Sequence, residues 1–176
     1  MNVTGTREFD APREAVWSVL MDPAKLAKLM PGVEGFDIKD DAHWTARVRV
    51  PLGMGGLKLT IEFEKLDERP PEHAALRAKG KGVGAIVEMK TRFDLSEKDG
   101  TTSMDWLADV RVLGQVGAMG QRVLQPIVNH QVADVLAALD REVQAAAATG
   151  AEAGIHPASP EAYSTNPDAP TQSTES

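Results

Sequence analysis

The sequence predicts an α+β fold: a curved antiparallel sheet wrapped around a long C-terminal helix, with two short helices after the first strand, enclosing an apolar cavity. Three observations carry this. Six alternating runs separated by tight turns fill residues 33 to 113; one strand and two short, apolar-striped helices precede them; one long helical repeat follows. A sheet with one apolar face and a helix with one apolar stripe bury both by packing together. A sheet curled around a helix cannot close at both ends, which leaves space between the two.

The elements follow in order. Residues 3–10, VTGTREFD, alternate as a strand. DAPREAVWSVL then forms a short helix, with Pro12 in its first turn and Val16, Trp17 and Leu20 on one face. DPAKLAKLM repeats the device: Asp22 caps, Pro23 starts, Leu26, Leu29 and Met30 form the stripe, and Pro31–Gly32 stops it. In the runs that follow, Val48 and Val50 alternate with Arg47 and Arg49, and Leu59, Ile61 and Phe63 with Lys58, Thr60, Glu62 and Glu64. One sheet face is therefore apolar and the other wet.

The last helix is expected over about residues 115–146. Val116, Met119, Val123, Ile127, Val132, Val135, Leu136, Leu139 and Val143 recur at helical spacing, and Pro126 kinks the helix or marks its true beginning. Glycines stand at 114, 117 and 120 in its first turns. A glycine inside a helix costs about 1 kcal/mol relative to alanine, so three of them are expected to thin the wall where something other than protein lies. Residues 1–146 form the ligand-binding domain. Residues 147–176, acidic and rich in Pro, Ser and Thr, are expected to be a disordered tail.

Composition excludes several classes. Hydrophobic residues make up 42% of the chain, which is ordinary for a globular protein, and the absence of cysteine rules out disulfides and thiolate chemistry. The net charge is −7, but Glu152, Glu161, Asp168 and Glu175 belong to the tail, which carries no Lys or Arg, leaving −3 for the body. Without clustered basic residues nucleic acid is not expected as a partner. The N-terminus has no basic and apolar signal regions, and no run of ~18 apolar residues spans a membrane, so a cytoplasmic location is expected.

Catalytic and metal motifs are lacking. His43, His73 and His156 sit at turns or in the tail, where solvation is expected, and His130 has no metal-pairing neighbour at ±4. No serine of the body stands in G-x-S-x-G, and GKGVGA at 80–85 lacks the spacing of a phosphate loop, so a bend in the sheet explains its glycines. Asp105 and Asp109 alternate with apolar residues and belong on the outer face.

The apolar side chains are more telling. Methionine is unbranched and polarisable and suits sites that admit loosely shaped ligands; Met30, Met54, Met89, Met104 and Met119 are spread over loops, two strands and the last helix. The expected ligand-binding set is Trp17, Met30, Pro31, Phe36, Met54, Met89, Phe93, Trp106, Val116, Gly117, Met119, Gly120, Val123 and Ile127. VPLGMGGLKL at 50–59 and LMPGVEGF at 29–36 are expected at the cavity mouth, with Leu52 and Met54 as apolar tips facing water.

APREAVWSVLMDPAKLAKLMPGVEGF, KGKGVGAIVEMKTRFDL and TTSMDWLADVRVLGQVGAMGQRVL together resemble the G-subunit family of carbon monoxide dehydrogenase, within the START-like helix-grip (SRPBCC) superfamily of hydrophobic-ligand binders. The resemblance extends over roughly residues 1–140. It implies a partner, an aerobic molybdenum-containing carbon monoxide dehydrogenase, and a part in associating that enzyme with the membrane. Two features depart from relatives: the tail is polar rather than an apolar anchor, and Met30 stands where many have Cys or a small residue.

The expected function is therefore a non-enzymatic accessory protein. It binds a hydrophobic molecule, a menaquinone or ubiquinone, with no covalently bound cofactor, and contacts the inner face of the cell membrane peripherally and transiently. The alternative is a protein–protein adaptor or maturation factor that recruits the dehydrogenase, with the cavity incidental. An enzyme of the same superfamily would need convergent polar groups in the pocket, and the inward positions are mostly apolar.

Overall fold

The computed structural model describes residues 1–153. The chain runs β1 (Asn2–Phe9), α1 (Arg13–Leu20), α2 (Pro23–Leu29), β2 (Val33–Ile38), β3 (His43–Val50), β4 (Leu57–Arg69), β5 (His73–Gly82), β6 (Ala85–Lys98), β7 (Thr101–Leu113), α3 (Gly114–Gly117) and α4 (Gln121–Ala153). Every run expected to be a strand is one. They form one antiparallel sheet in the order β1-β7-β6-β5-β4-β3-β2. The β6–β7 hairpin shows how local chemistry fixes register: Lys98 pairs with Thr101 across a two-residue turn. Asp99 and Gly100 both take positive φ there, 53° and 79°, the conformation that matches the twist of adjacent strands.

The short helices start as their sequences direct, with one difference. Asp22 caps α2 by accepting from the Ala24 N–H at 2.9 Å, and Pro23 occupies the first turn. In α1, Pro12 is the cap residue itself, its carbonyl accepting from the Ala15 N–H at 3.0 Å. Asp22→Ala should lower stability by about 1 kcal/mol, read as a fall of about 2–4 °C in the thermal midpoint.

Inward positions alternate as expected. The main core lies under α1, α2 and the C-terminal half of α4, where Phe9, Val16, Val19, Phe93, Leu95, Met104, Leu139 and Val143 pack together. A second cluster, Ala46, Val48, Leu59 and Ala85, lies separately toward the β3–β4 side. α4 packs closely on α1 and α2 and touches β1. Arg7, inward on β1, is ion-paired with Asp140 of α4, which ties helix to sheet edge.

Three expectations about the C-terminal region are corrected. The last helix is not continuous from 115: α3 ends at Gly117, and α4 begins at Gln121 and runs through Pro126. Gly120, at φ 79°, breaks the two. Leu124 is the buried residue of the first turns of α4, while Val123 is 43% exposed. Finally, α4 extends to Ala153, so the first residues of the expected tail are helical; residues 154–176 lie outside the described residues.

Candidate ligand-binding site

The concave face of the sheet is mostly apolar, and its middle is incompletely covered. In register, Trp44 faces Phe63 and Ala46 faces Ile61. Across the next strands Phe63, Ala78 and Met89 align, as do Ile61, Gly80 and Val87. Ala78 and Gly80 are buried, whereas Ile61, Phe63, Val87, Met89 and Phe36 remain half-buried. The small residues of β5 thus lower the floor between two rows of larger ones. Phe36, Ile61, Phe63 and Val87 pack at the margin of the second cluster, and with Met89 they leave a half-covered apolar strip, a shallow trough, along β4–β6. Two hollows of about 330 and 300 Å³ lie mostly among outward residues: one at Thr6, Arg92 and Asp105 that also borders Gly5 and Trp106, and one at Thr45, Glu62 and Lys79 that also borders Trp44 and Phe63.

At one end of the trough four segments converge. The Arg49 N–H donates to the Gly32 carbonyl at 2.8 Å, joining the α2–β2 turn to β3. The Arg49 guanidinium donates to the Gly55 carbonyl at 2.9 Å in the β3–β4 turn. The Val116 N–H donates to the Gly84 carbonyl at 3.0 Å, joining α3 to the β5–β6 turn. On this end Met54 and Val83 are fully exposed, at 106% and 95%, and Met119 is 46% exposed. Lys58, Lys81, Arg111 and Arg122 are exposed nearby on the same element ends. Glu34 pairs with Arg49 at 2.8 Å, and that hydrogen bond, foremost, holds its carboxyl below the ordinary value. The pair is therefore intact at neutral pH and weakens as pH falls through the lowered value.

The expected site residues divide into groups. Met30, Phe36 and Val116 pack on the second cluster, and Met89 lies on the floor. Pro31 and Ile127 are half-buried, at the α2–β2 turn and on α4. Trp17 and Phe93 belong to the main core, edge to face at 6.1 Å between ring centres. Trp106 is inward on β7 against the same core. Met54, Met119 and Val123 are exposed; Leu52, expected as a second tip, is half-buried.

The glycines have backbone reasons rather than the one expected. Gly114 takes φ 83°, and a Cβ there would stand 2.8 Å from the Gly84 carbonyl oxygen. A Cβ on Gly117 would penetrate the Val112 carbonyl. Gly120 is needed for its positive φ, with open space around it. Gly82 and Gly84 likewise serve a close approach to Lys58 and a turn. Ile61, Phe63, Val87, Ala78 and Gly80 were not singled out as ligand-lining. The signal for them was strand parity: all share the face of Leu59.

The polar groups on the concave side are few. Arg7 and Asp140 satisfy each other, the Lys65 ammonium donates to the Met21 carbonyl at 3.0 Å, and the Thr91 hydroxyl donates to the Leu107 carbonyl at 3.1 Å. Among the described residues no group of three or more His, Asp or Glu is placed to hold a metal ion. His73, expected to be solvated, is 15% exposed and held at 2.6 Å by Asp94. His43 is exposed beside Asp40, and His130 is exposed beside Asp134; His156 lies outside the described residues. Asp105 and Asp109 are exposed, as their alternation requires.

A curved antiparallel sheet gripping a long C-terminal helix defines the class of START-like, helix-grip proteins, and solved structures of that shape agree. A conserved protein from Geobacillus kaustophilus is 27% identical with a TM-score of 0.76, covering 82% of this chain and 95% of its own. A START superfamily protein from Mycobacterium smegmatis has a TM-score of 0.61 at 15% identity, covering 81% and 97%. The Zhui aromatase/cyclase from Streptomyces sp. R1128 has 0.62 at 20%, covering 82% and 93%. No curated protein matches the sequence. Within the class, the chain belongs to the carbon monoxide dehydrogenase G-subunit (CoxG) family, whose model matches residues 5–144. Among the described residues no helix is long and apolar enough to cross a membrane.

Proposed function

We propose that this protein carries a respiratory quinone, menaquinone or ubiquinone, in the trough between β4–β6 and α4. In doing so it links a molybdenum-containing carbon monoxide dehydrogenase to the electron-transport chain of the membrane, without catalysing a reaction itself. The observation that supports this most is the strip of inward, half-buried Phe36, Ile61, Phe63, Val87 and Met89. An isoprenoid chain leaves a bilayer only for a surface that is equally dry, since each Å² of apolar area is worth about 25 cal/mol. The non-catalytic role is part of the same reading: the inward charged groups are few, Arg7 paired with Asp140 and Lys65 donating to the Met21 carbonyl, whereas an enzyme of this fold would need polar groups converging on the ligand.

The mouth supports a peripheral, transient contact with the inner face of the cell membrane. Met54, Val83 and Met119 offer apolar tips, and each neighbouring Lys or Arg is worth about 1 kcal/mol at an anionic surface. The overall charge of −7 keeps such adsorption weak. Met54→Ser with Val83→Ser should reduce retention on phosphatidylglycerol vesicles about three- to tenfold in a sedimentation assay. Both side chains are fully exposed, so the thermal midpoint should stay unchanged. The adaptor alternative rests on the tail segment IHPASPEAY, which lies outside the described residues.

The deciding experiment is direct. Protein purified without detergent from a quinone-producing host is extracted with organic solvent and the extract analysed by mass spectrometry. A near-stoichiometric quinone is expected. An empty extract, repeated after incubation with quinone-loaded vesicles, would refute the carrier role.

A further inference from the structure

The outer face of the sheet changes character at its last row before the open end. Across β4–β7 the outward side chains stand in register rows. Glu64, Arg77, Lys90 and Asp109 form one, and Glu62, Lys79, Glu88 and Arg111 the next. Both rows mix the two signs of charge, as a water-facing sheet surface does. The row after them reads Thr60, Lys81, Ile86 and Leu113. Ile86 and Leu113 are 44% and 45% exposed, opposite each other on the face that is otherwise wet. Val83, in the adjoining β5–β6 turn, is fully exposed.

The charge of this end runs against that of the chain. Residues 42–61, 73–87 and 110–133 build the last rows and the turns of the open end and hold no Asp or Glu, although the chain carries −7. Glu34, a carboxylate that does reach this end, is engaged by Arg49. Lys58, Lys81, Arg111 and Arg122 are all exposed here. A second copy of the chain seated on the same patch would set Lys81 and Arg111 against their own kind, which repels. An anionic lipid surface suits both features: its headgroups take the cations and the layer beneath takes the apolar side chains. The patch is also continuous with Met54, Val83 and Met119, which ring the mouth where an apolar cargo would pass. The step from Ile86 to Glu88 is about 7 Å along a strand, comparable with the depth of about 5–10 Å to which interfacial apolar faces sink.

We propose that the lipid-contact surface wraps from the mouth onto the outer face of β6 and β7. The molecule then rests tilted on an anionic bilayer, with Ile86 and Leu113 below the headgroups and Glu88 above them. Lys58 and Lys81 flank the apolar pair and meet anionic headgroups, and the β6–β7 turn, at the far end of the same strands, points away. This rests on the peripheral membrane contact proposed above and adds to it a footprint, a tilt and a lipid charge.

The test uses the full chain. It has no cysteine, so a single introduced thiol carries an environment-sensitive nitrobenzoxadiazole label. Ile86→Cys, Glu88→Cys and Ser96→Cys place the label at three heights along the outward side of β6, and Val83→Cys at the turn. With phosphatidylglycerol vesicles, emission is expected to rise and shift to the blue at Ile86→Cys and Val83→Cys, and to stay unchanged at Glu88→Cys and Ser96→Cys. Leu113→Cys repeats the reading should Ile86→Cys fail to fold. Without a label, Ile86→Thr with Leu113→Thr keeps β-branched side chains on the strands and should lower vesicle retention about threefold. A response at Val83→Cys with none at Ile86→Cys overturns the tilted footprint and leaves contact through the mouth standing. No response at either position overturns both. Equal responses on phosphatidylcholine vesicles overturn the part given to Lys58 and Lys81. A response at Ile86→Cys that needs purified carbon monoxide dehydrogenase rather than vesicles assigns the face to a protein partner and overturns the proposal.

Discussion

Gly80→Leu is expected to empty the protein of apolar cargo while leaving its fold intact. Gly80 faces inward on β5 between Ile61 and Val87. A Cβ there would meet Ile61 and Val87 at 3.4 Å, ordinary van der Waals contact, and its φ is not in the left-handed region. The leucine side chain beyond that Cβ rises into the trough and occupies the space a prenyl chain would take. Burying a leucine against Ile61 and Val87 gains apolar contact, so the thermal midpoint should not fall. The solvent extract should lose more than about nine-tenths of its quinone, since a filled site excludes a chain of similar bulk. A variant that folds normally and still extracts with a full complement of quinone would place the cargo elsewhere.

Gly117→Ala is expected to lower stability, and for a different reason. The added methyl group falls onto the backbone carbonyl of Val112, at the junction of β7 and α3. Neither partner is a flexible side-chain end, so α3 must move off the strand and strain the Val116–Gly84 hydrogen bond. Overpacking of this kind costs about 1–3 kcal/mol, which for a chain of this size is about 3–10 °C in the thermal midpoint. Gly120→Ala is the control. Its Cβ enters open space and meets only the penalty of φ 79°, about 1 kcal/mol. Equal thermal midpoints for Gly117→Ala and the native protein would show that α3 yields freely. The comparison also shows why Gly117 is a poor probe of ligand binding: a larger residue there loosens the scaffold before it touches any cargo.

Much of the fold was legible because it rests on local rules. Strand parity in segments such as Val48–Arg49–Val50 and Leu59–Thr60–Ile61 is a property of the backbone itself, and it set both the strands and the face each side chain occupies. Asp22–Pro23 and Asp99–Gly100 carry their cap and turn in their own chemistry. Val123 and Leu124 were less legible. Both are apolar and adjacent, and the helical stripe that includes one excludes the other only once the phase of α4 is known. That phase depended on where α4 begins, which Gly120 sets through a φ that sequence does not display.

The site divides along the same line. The sequence alone determined that one face of a curved antiparallel sheet is apolar, that a long helix follows it, and that Met54 stands in a glycine-rich turn, because alternation, helical period and turn composition are encoded within a few residues. Only the tertiary structure decided which apolar residues fill the core and which line open space. Trp17 of α1 packs edge to face on Phe93 of β6, whereas Ile61, Phe63 and Val87 stay half-covered at the margin of the second cluster. It also decided why the glycines are there, through the carbonyls of Gly84 and Val112, and that Ile86 meets Leu113 on the outer face. Each depends on atoms brought together from distant parts of the chain, and burial, close approach and cross-strand register are properties of that meeting rather than of any one segment.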